Sequence, residues 1–393
     1  MQKVFISSAA RTPVGRFQGV LGPLSATRLG GIAIQEAISR SGIQPDQVDE
    51  VVMGNVLSAG LGQAPARQAA FAGGIPEKVP CTTINKVCGS GLKTVMMGAQ
   101  AIALGDAEVV VSGGMESMTQ APYLLERARS GYRLGHGLLV DSIIKDGLWD
   151  VYNDFHMGNA AGQCAEKHHL SRTEMDDFAI ESYRRAQAAQ RRGDFNREIV
   201  PVSIQTGKKK TLISEDEEPG WVDFEKIRSL KPAFEPDGKI TAGNASPLSD
   251  GAAALVLISE TMARAQGRLG GFFIRGYSSV ATAPAFFTTA PVEAISQLLK
   301  QVPLSLSEID LFEINEAFAA SSIAVIQALK LDVKKINVRG GAIALGHPIG
   351  ASGSRILTTL IHLLEDLDLH RGIASLCIGG GEALALLIER NTA

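Results

Sequence analysis

Cysteine is scarce in this chain: Cys81, Cys88, Cys164 and Cys377 are all there are among 393 residues. No two of them make a Cys-x-x-Cys pair. That spacing excludes a disulfide framework and the common zinc sites, and it fits reduced thiols in a cytoplasmic compartment. An excess of one charge is lacking too. The formal net charge is −3, and the single basic run, Lys208-Lys209-Lys210, is soon followed by Glu215-Asp216-Glu217-Glu218. Without a basic stripe nucleic acid is not expected as a partner, and the lysine run reads as a solvated hairpin tip. Long apolar runs are short of what a bilayer needs, so no stretch is expected to reach transmembrane length and no membrane partner is expected. Met1 to Ala10 shows neither a signal-peptide core nor Arg-rich transit character. What is there, 45% hydrophobic and 20% charged residues, is the composition of a globular protein with more core than one ordinary domain.

Short apolar runs alternate with helical segments, the pattern of layered α/β folds. Val51-Val52-Met53 and Glu108-Val109-Val110-Val111 read as buried strands, and Leu92 to Leu104 reads as a helix apolar around most of its circumference. The second half of the chain echoes the first. Asn315 ends a strand-like run 260 residues after Asn55, and Gly353 opens a helix 262 residues after Gly91. Gly380 answers Gly113 at an offset of 267. Such offsets predict two similar halves about a pseudo-twofold axis, with the turns after equivalent strands converging. Between Ala121 and Asp250 a polar insertion breaks the rhythm; within it Ser171 and Glu174 make a capping box for a helix through Tyr183.

Four segments carry candidate chemistry. Cys88 lies in Asn85-Lys86-Val87-Cys88-Gly89-Ser90-Gly91, at the entrance to the apolar helix. Unpaired amides and the helix dipole there are expected to lower a thiol pKa, although the turn alone fits a buried inert cysteine equally well. His347, in Gly346-His347-Pro348-Ile349-Gly350-Ala351-Ser352-Gly353, is placed by the repeat opposite the Cys88 turn. A histidine there suits a general base for a thiol. Asn315, in Asn315-Glu316-Ala317-Phe318, offers an amide to a water or a carbonyl oxygen, and Glu316 is either an acid–base group or an orienting one. Cys377 precedes Gly379-Gly380-Gly381, whose amides can form an anion-binding nest.

These segments, with Gly113-Gly114-Met115-Glu116-Ser117-Met118 and Thr241-Ala242-Gly243-Asn244-Ala245-Ser246, resemble the thiolase family, in family order from Val4 to Glu389. The resemblance implies a thiolase fold, two βαβαβαββ halves in a five-layered αβαβα core with an inserted loop domain. The expected division is residues 1–120 with 251–271, the insertion 121–250, and 272–393. It implies acetyl-CoA C-acetyltransferase activity, converting two acetyl-CoA to acetoacetyl-CoA and CoA. By resemblance Cys88 is the acylated nucleophile, His347 activates it and polarises the second thioester with a water on Asn315, and Cys377 moves the α-proton. The amides of Cys88 and Gly379 would then form an oxyanion hole. Coenzyme A thioesters are the implied substrates, and no cofactor is required. His156, Met157 and Ser246 would border the pantetheine arm; Val222, Asp223 and Lys226 would lie on the adenine side. Phe287 would close the acyl pocket to chains longer than acetyl and acetoacetyl, a 2-methyl branch aside. Equivalents of Tyr183, Ala242, Gly243, Ala245 and Ile343 surround potassium in the family's potassium-activated members. The segment Tyr123 to Lys145 resembles a tetramerisation loop, implying a homotetramer built from dimers.

Three departures from the family pattern stand out: Pro247 after Asn-Ala-Ser, Glu382-Ala383 after the glycine triplet, and Phe286-Phe287. The competing readings are a broad-range 3-ketoacyl-CoA thiolase of fatty-acid degradation and a thiolase-fold CoA- or lipid-binding protein without turnover. A Cys-His hydrolase or glutaminase would leave Cys377 and Asn315 without work, and a decarboxylating condensing enzyme would be expected to use a second histidine in place of Asn-Glu-Ala-Phe.

Overall fold

A computed structural model describes residues 2–391; Met1, Thr392 and Ala393, the outermost positions of the two expected halves, lie outside the described residues. The first half runs β1 (Val4–Arg11), α1 (Ala26–Ser41), β2 (Glu50–Gly54), α2 (Pro65–Ala72), β3 (Cys81–Ile84), α3 (Ser90–Leu104) and β4 (Val109–Ser117). An excursion of about 130 residues, carrying α4 (Met157–Lys167) and α5 (Arg172–Arg192), precedes the closing strand β5 (Ser249–Ser259). The second half runs β6 (Phe272–Ala281), α6 (Ala290–Gln301), β7 (Leu311–Ile314), α7 (Ala319–Leu329), α8 (Ser352–Asp366), β8 (Arg371–Ile378) and β9 (Glu382–Arg390).

The strands join in the order β7-β8-β9-β6-β1-β5-β4-β2-β3, with a two-residue strand, Gly15–Arg16, beside β5. The two halves of this sheet meet between β1 and β6 through one paired position, Phe5 with Phe273. Helices α1 and α2 cover one outer face and α6 the other, while α3 and α8 pack between. A central core of Val52, Leu92, Val95, Leu257, Leu360, Leu376 and Leu386 draws on both halves of the sheet and both middle helices. The result is five layers.

The pairing registers correct the sequence reading of the repeat. Gly54 pairs with Gly114 in the first half and Ile314 with Ser375 in the second, so Ser375 answers Gly114 at an offset of 261, in step with the other two. Gly380 does not answer Gly113, because the glycine triplet begins only after β8 has ended. The counterpart of β3 is also reduced, to one parallel bridge between Phe312 and Ile336. There the Asn337 side chain stands in for a strand: its amide accepts from Ile314 N at 2.9 Å and donates to Ile314 O at 2.8 Å.

Val87–Leu104 does reach 18 residues of membrane-compatible hydropathy, contrary to expectation. Its apolar surface is spent on the middle layer, with Leu92, Val95 and Met96 fully buried between the two halves of the sheet. In the insertion the capping box at α5 is present, Ser171 accepting from Glu174 N. Lys208 sits at the turn of a hairpin, Val202–Thr206 with Lys209–Ile213.

Candidate active site

Two glycines explain why the Cys88 and His347 turns meet. A Cβ on Gly91 would lie 2.8 Å from Ser354 N, and one on Gly353 would lie 2.4 Å from Leu92 N. The N-terminal ends of α3 and α8 can therefore touch backbone to backbone only as glycines. The turns leading into them open on one cleft of about 810 Å³, lined by Cys88, His347 and Gly379 together.

The Cys88 turn is tight. Val87 is held at φ 46, a left-handed conformation that a β-branched residue rarely adopts. Asn85 Oδ1 accepts from Val87 N at 2.9 Å; Ser90 Oγ accepts from Lys86 N at 2.8 Å and donates to Val87 O at 2.7 Å. Cys88 is half-buried. Burial pushes its thiol up to about 11, while the amides of Gly379 and of Cys88 itself pull the other way. The sequence expectation of a lowered pKa is thus reversed: the amides are in place, but desolvation of the thiolate outweighs them.

His347 is buried, and burial, aided by the Arg355 guanidinium, pushes its imidazole down to about 3. Its Nδ1 is 2.5 Å from Ser352 Oγ, and that hydroxyl donates its one proton to Pro348 O at 2.9 Å. Ser352 can then only accept from Nδ1–H. The tautomer is fixed, and Nε2, which has no partner among the described residues, is left as the acceptor. A neutral base beside a protonated thiol calls for proton transfer during attack rather than a standing ion pair.

Cys377, near the end of β8 opposite Ala383, is buried and does not line the cleft. Burial raises its pKa far above the usual thiol range, and the charge of Cys88 raises it further. Asn315 is also buried, and neither atom of its side-chain amide has a partner among the described residues. Glu316 instead binds Ser182 Oγ at 2.6 Å and Asn337 Nδ2 at 2.8 Å. It is an orienting group. Ala383 packs into the sheet interior, and Glu382 turns outward to the Lys86 ammonium.

His156, Met157, Val222, Asp223, Lys226, Ser246 and Phe287 all line the cleft. The His156 ring stacks on Phe234 with centroids 4.7 Å apart, and its Nδ1 accepts from Gly158 N. Asp223 caps the short helix Phe224–Ile227; its hydrogen bond to Lys226 holds its carboxyl below the usual range. Phe287 is buried in the wall. Tyr183, Ala242, Gly243 and Ala245 line the cleft as well, whereas Ile343 is buried beside them and does not. Among the described residues no backbone donor reaches the carbonyls of Ala242, Gly243 or Ala245, and Tyr183 Oη donates to Glu218 Oε1 at 3.0 Å. These free oxygens fit an alkali cation. No group of three or more His, Cys, Asp or Glu is placed to hold a metal among the described residues.

Sequence reasoning missed three contributors. Ser352 sits inside a motif read only for its histidine. Glu116 binds Asn55 Nδ2 and the amides of Val56, Leu57 and Gly350, tying the His347 turn to β4. Arg16 pairs with Glu218 at 2.6 Å and lies over the exposed Trp221 at the cleft rim. Only the tryptophan, one of two in the chain, carried a compositional signal.

The sequence and the fold match those of known proteins. The model of the thiolase N-terminal domain matches residues 4–261, and that of the C-terminal domain matches 272–390. Acetyl-CoA acetyltransferase 2 of Arabidopsis thaliana is 51% identical over 98% of this chain and 96% of its own. Acetyl-CoA acetyltransferase of Pseudomonas aeruginosa is 50% identical over the full length of both. The crystal structure of the Bacillus anthracis acetyl-CoA acetyltransferase superposes with a TM-score of 0.97, at 42% identity and covering 99% of each chain.

Proposed function

The chain belongs to the thiolase family and has its fold, and from that premise we propose an acetyl-CoA C-acetyltransferase that reversibly condenses two acetyl-CoA to acetoacetyl-CoA and CoA. The observation that supports this reading is the pairing of Cys88 with His347 in one cleft, with a second, more deeply buried thiol, Cys377, near enough to Cys88 to feel its charge. A hydrolase needs only one thiol, and a pure binder needs neither.

In the first half-reaction Cys88 Sγ attacks the acetyl carbonyl as His347 Nε2 takes the thiol proton. The amides of Cys88 and Gly379, both close enough to act on the Cys88 sulfur, receive the oxyanion, and CoA leaves with that proton. In the second, Cys377 removes the α-proton of another acetyl-CoA. The enolate oxygen accepts from a water that takes a hydrogen bond from the Asn315 amide and donates its other hydrogen bond to His347 Nε2, and the α-carbon displaces Cys88 Sγ, which leaves as a thiolate and recovers the proton held by Cys377. A single oxyanion donor is typically worth about 2.7–4 kcal/mol.

The CoA arm is read as lying between His156, Met157 and Ser246, with Val222, Asp223 and Lys226 toward the adenine. Potassium would be held by oxygens of Tyr183, Ala242, Gly243, Ala245 and Ile343, where it would stiffen the CoA wall and take no part in bond making. Residues 121–250 are read as an inserted domain for CoA binding and tetramer assembly. Exposed apolar side chains from Tyr123 to Tyr152, including Leu134 at 99% exposure, support a homotetramer. The need to keep both thiols reduced supports a cytoplasmic location.

Thiolysis and condensation rates across acyl chain lengths test the assignment. Acetoacetyl-CoA should be preferred, and Phe287→Ala should raise relative kcat/KM on longer 3-ketoacyl-CoA by about tenfold or more. A wild-type preference for long chains would favour the broad-range 3-ketoacyl-CoA thiolase instead.

A further inference from the structure

The two amides assigned to the oxyanion hole come from different halves of the chain. Cys88 N belongs to the turn before α3, and Gly379 N belongs to the turn between β8 and β9. Neither turn is part of the other's hydrogen-bond ladder. Between them lie apolar contacts, in which Gly89 faces Ile378 and Leu384, and one ion pair, between the Lys86 ammonium and the Glu382 carboxylate. Apart from the Gly379 amide acting on the Cys88 sulfur, that ion pair is the one polar contact joining the two turns among the described residues. Each partner flanks one of the functional amides: Lys86 stands two residues before Cys88, and Glu382 three after Gly379. Lys86 also precedes Val87, the residue held in the left-handed region.

We propose that Lys86 and Glu382 are positioning residues that clamp the nucleophile turn to the glycine turn and set the spacing of the Cys88 and Gly379 amides. The proposal rests on the acyl-transfer reading of the same site. Both side chains are partly exposed, at 25% and 34%, and exposed pairs contribute little to folding stability. Geometry at an oxyanion hole is unforgiving by comparison, since displacement by about 1 Å can cost about a hundredfold in rate. The clamp should therefore act on rate and leave stability nearly untouched.

The test is rapid-quench acetylation of Cys88 by acetyl-CoA, together with steady-state kinetics and Tm, on the full chain. Lys86→Gln and Glu382→Gln should each slow acetylation and lower kcat by about tenfold, with KM for acetyl-CoA within about twofold and Tm unchanged. Lys86→Arg, and the reversed pair Lys86→Glu with Glu382→Lys, should regain most of the rate. Wild-type acetylation rates in both single variants would overturn the clamp. So would rate losses that track Tm, or a reversed pair slower than either single variant. If the wild-type protein itself takes up no acetyl group, the acyl-transfer reading fails, and the clamp fails with it.

Discussion

Asn55 and Asn315 occupy the same place in the two halves, each following its strand and each donating its backbone N–H at 3.0 Å to a neighbouring strand. Their side chains have opposite fates. Asn55 donates to Glu116 and to Met115 O and accepts from Ser58 Oγ, whereas the buried Asn315 amide is left without a partner among the described residues. The pattern repeats one strand away: Glu116 and Cys377, 261 residues apart, are the penultimate residues of β4 and β8. Glu116 spends its oxygens on bracing, and Cys377 keeps a free thiol. Likewise Asn85 ties down its own turn, while His347, 262 residues on, keeps a free Nε2. In a duplicated fold, one copy closes its polar groups to hold the frame, and the other leaves them open for substrate.

The strongest way to break this comparison is to mutate the open copy. Cys377→Ala should cut condensation by about 10³–10⁴-fold while leaving acetylation of Cys88 largely intact, because only the second half-reaction needs its proton transfer. Loss of acetylation as well would mean that Cys377 also shapes the first step. Asn315→Ala should lower kcat by about 10²–10³-fold, the scale of one lost oxyanion donor. Its counterpart Asn55→Ala should instead lose about 1–3 kcal/mol of stability, measured by denaturant unfolding, with kcat per folded molecule nearly unchanged. Equal effects at the two asparagines would dissolve the distinction. A smaller effect concerns pH. With the Cys88 thiol pushed up to about 11 and His347 down to about 3, both groups are neutral at pH 7. The thiolate fraction rises with pH, so iodoacetamide alkylation of Cys88 should climb about tenfold per unit between about pH 7 and 10. A plateau reached by pH 7 would reveal a standing thiolate–imidazolium pair.

Most of the architecture was legible in the chain, because a repeat in sequence becomes a repeat in space, and the glycines at 91 and 353 mark where two helices must touch. The register of the last strands was not legible, since three consecutive glycines look alike whether they end a strand or follow it. Nor was the sign of the Cys88 shift: a turn and a helix start reveal the amides, while the burial that outweighs them comes from Ile378, Leu384 and other residues far along the chain. Glu116 and Ser352 escaped notice for a related reason. Their work lies in hydrogen bonds whose partners, such as Gly350 and Nδ1 of His347, only the fold brings near.

The most direct measurement is the intact mass of the protein after brief exposure to acetyl-CoA, followed by peptide mapping. One hydroxylamine-labile acetyl group on the Cys88 peptide, absent in Cys88→Ala and present in Cys377→Ala, is the predicted result. No adduct on a folded protein that still binds CoA would contradict covalent acyl transfer and leave a binding protein built on the same frame.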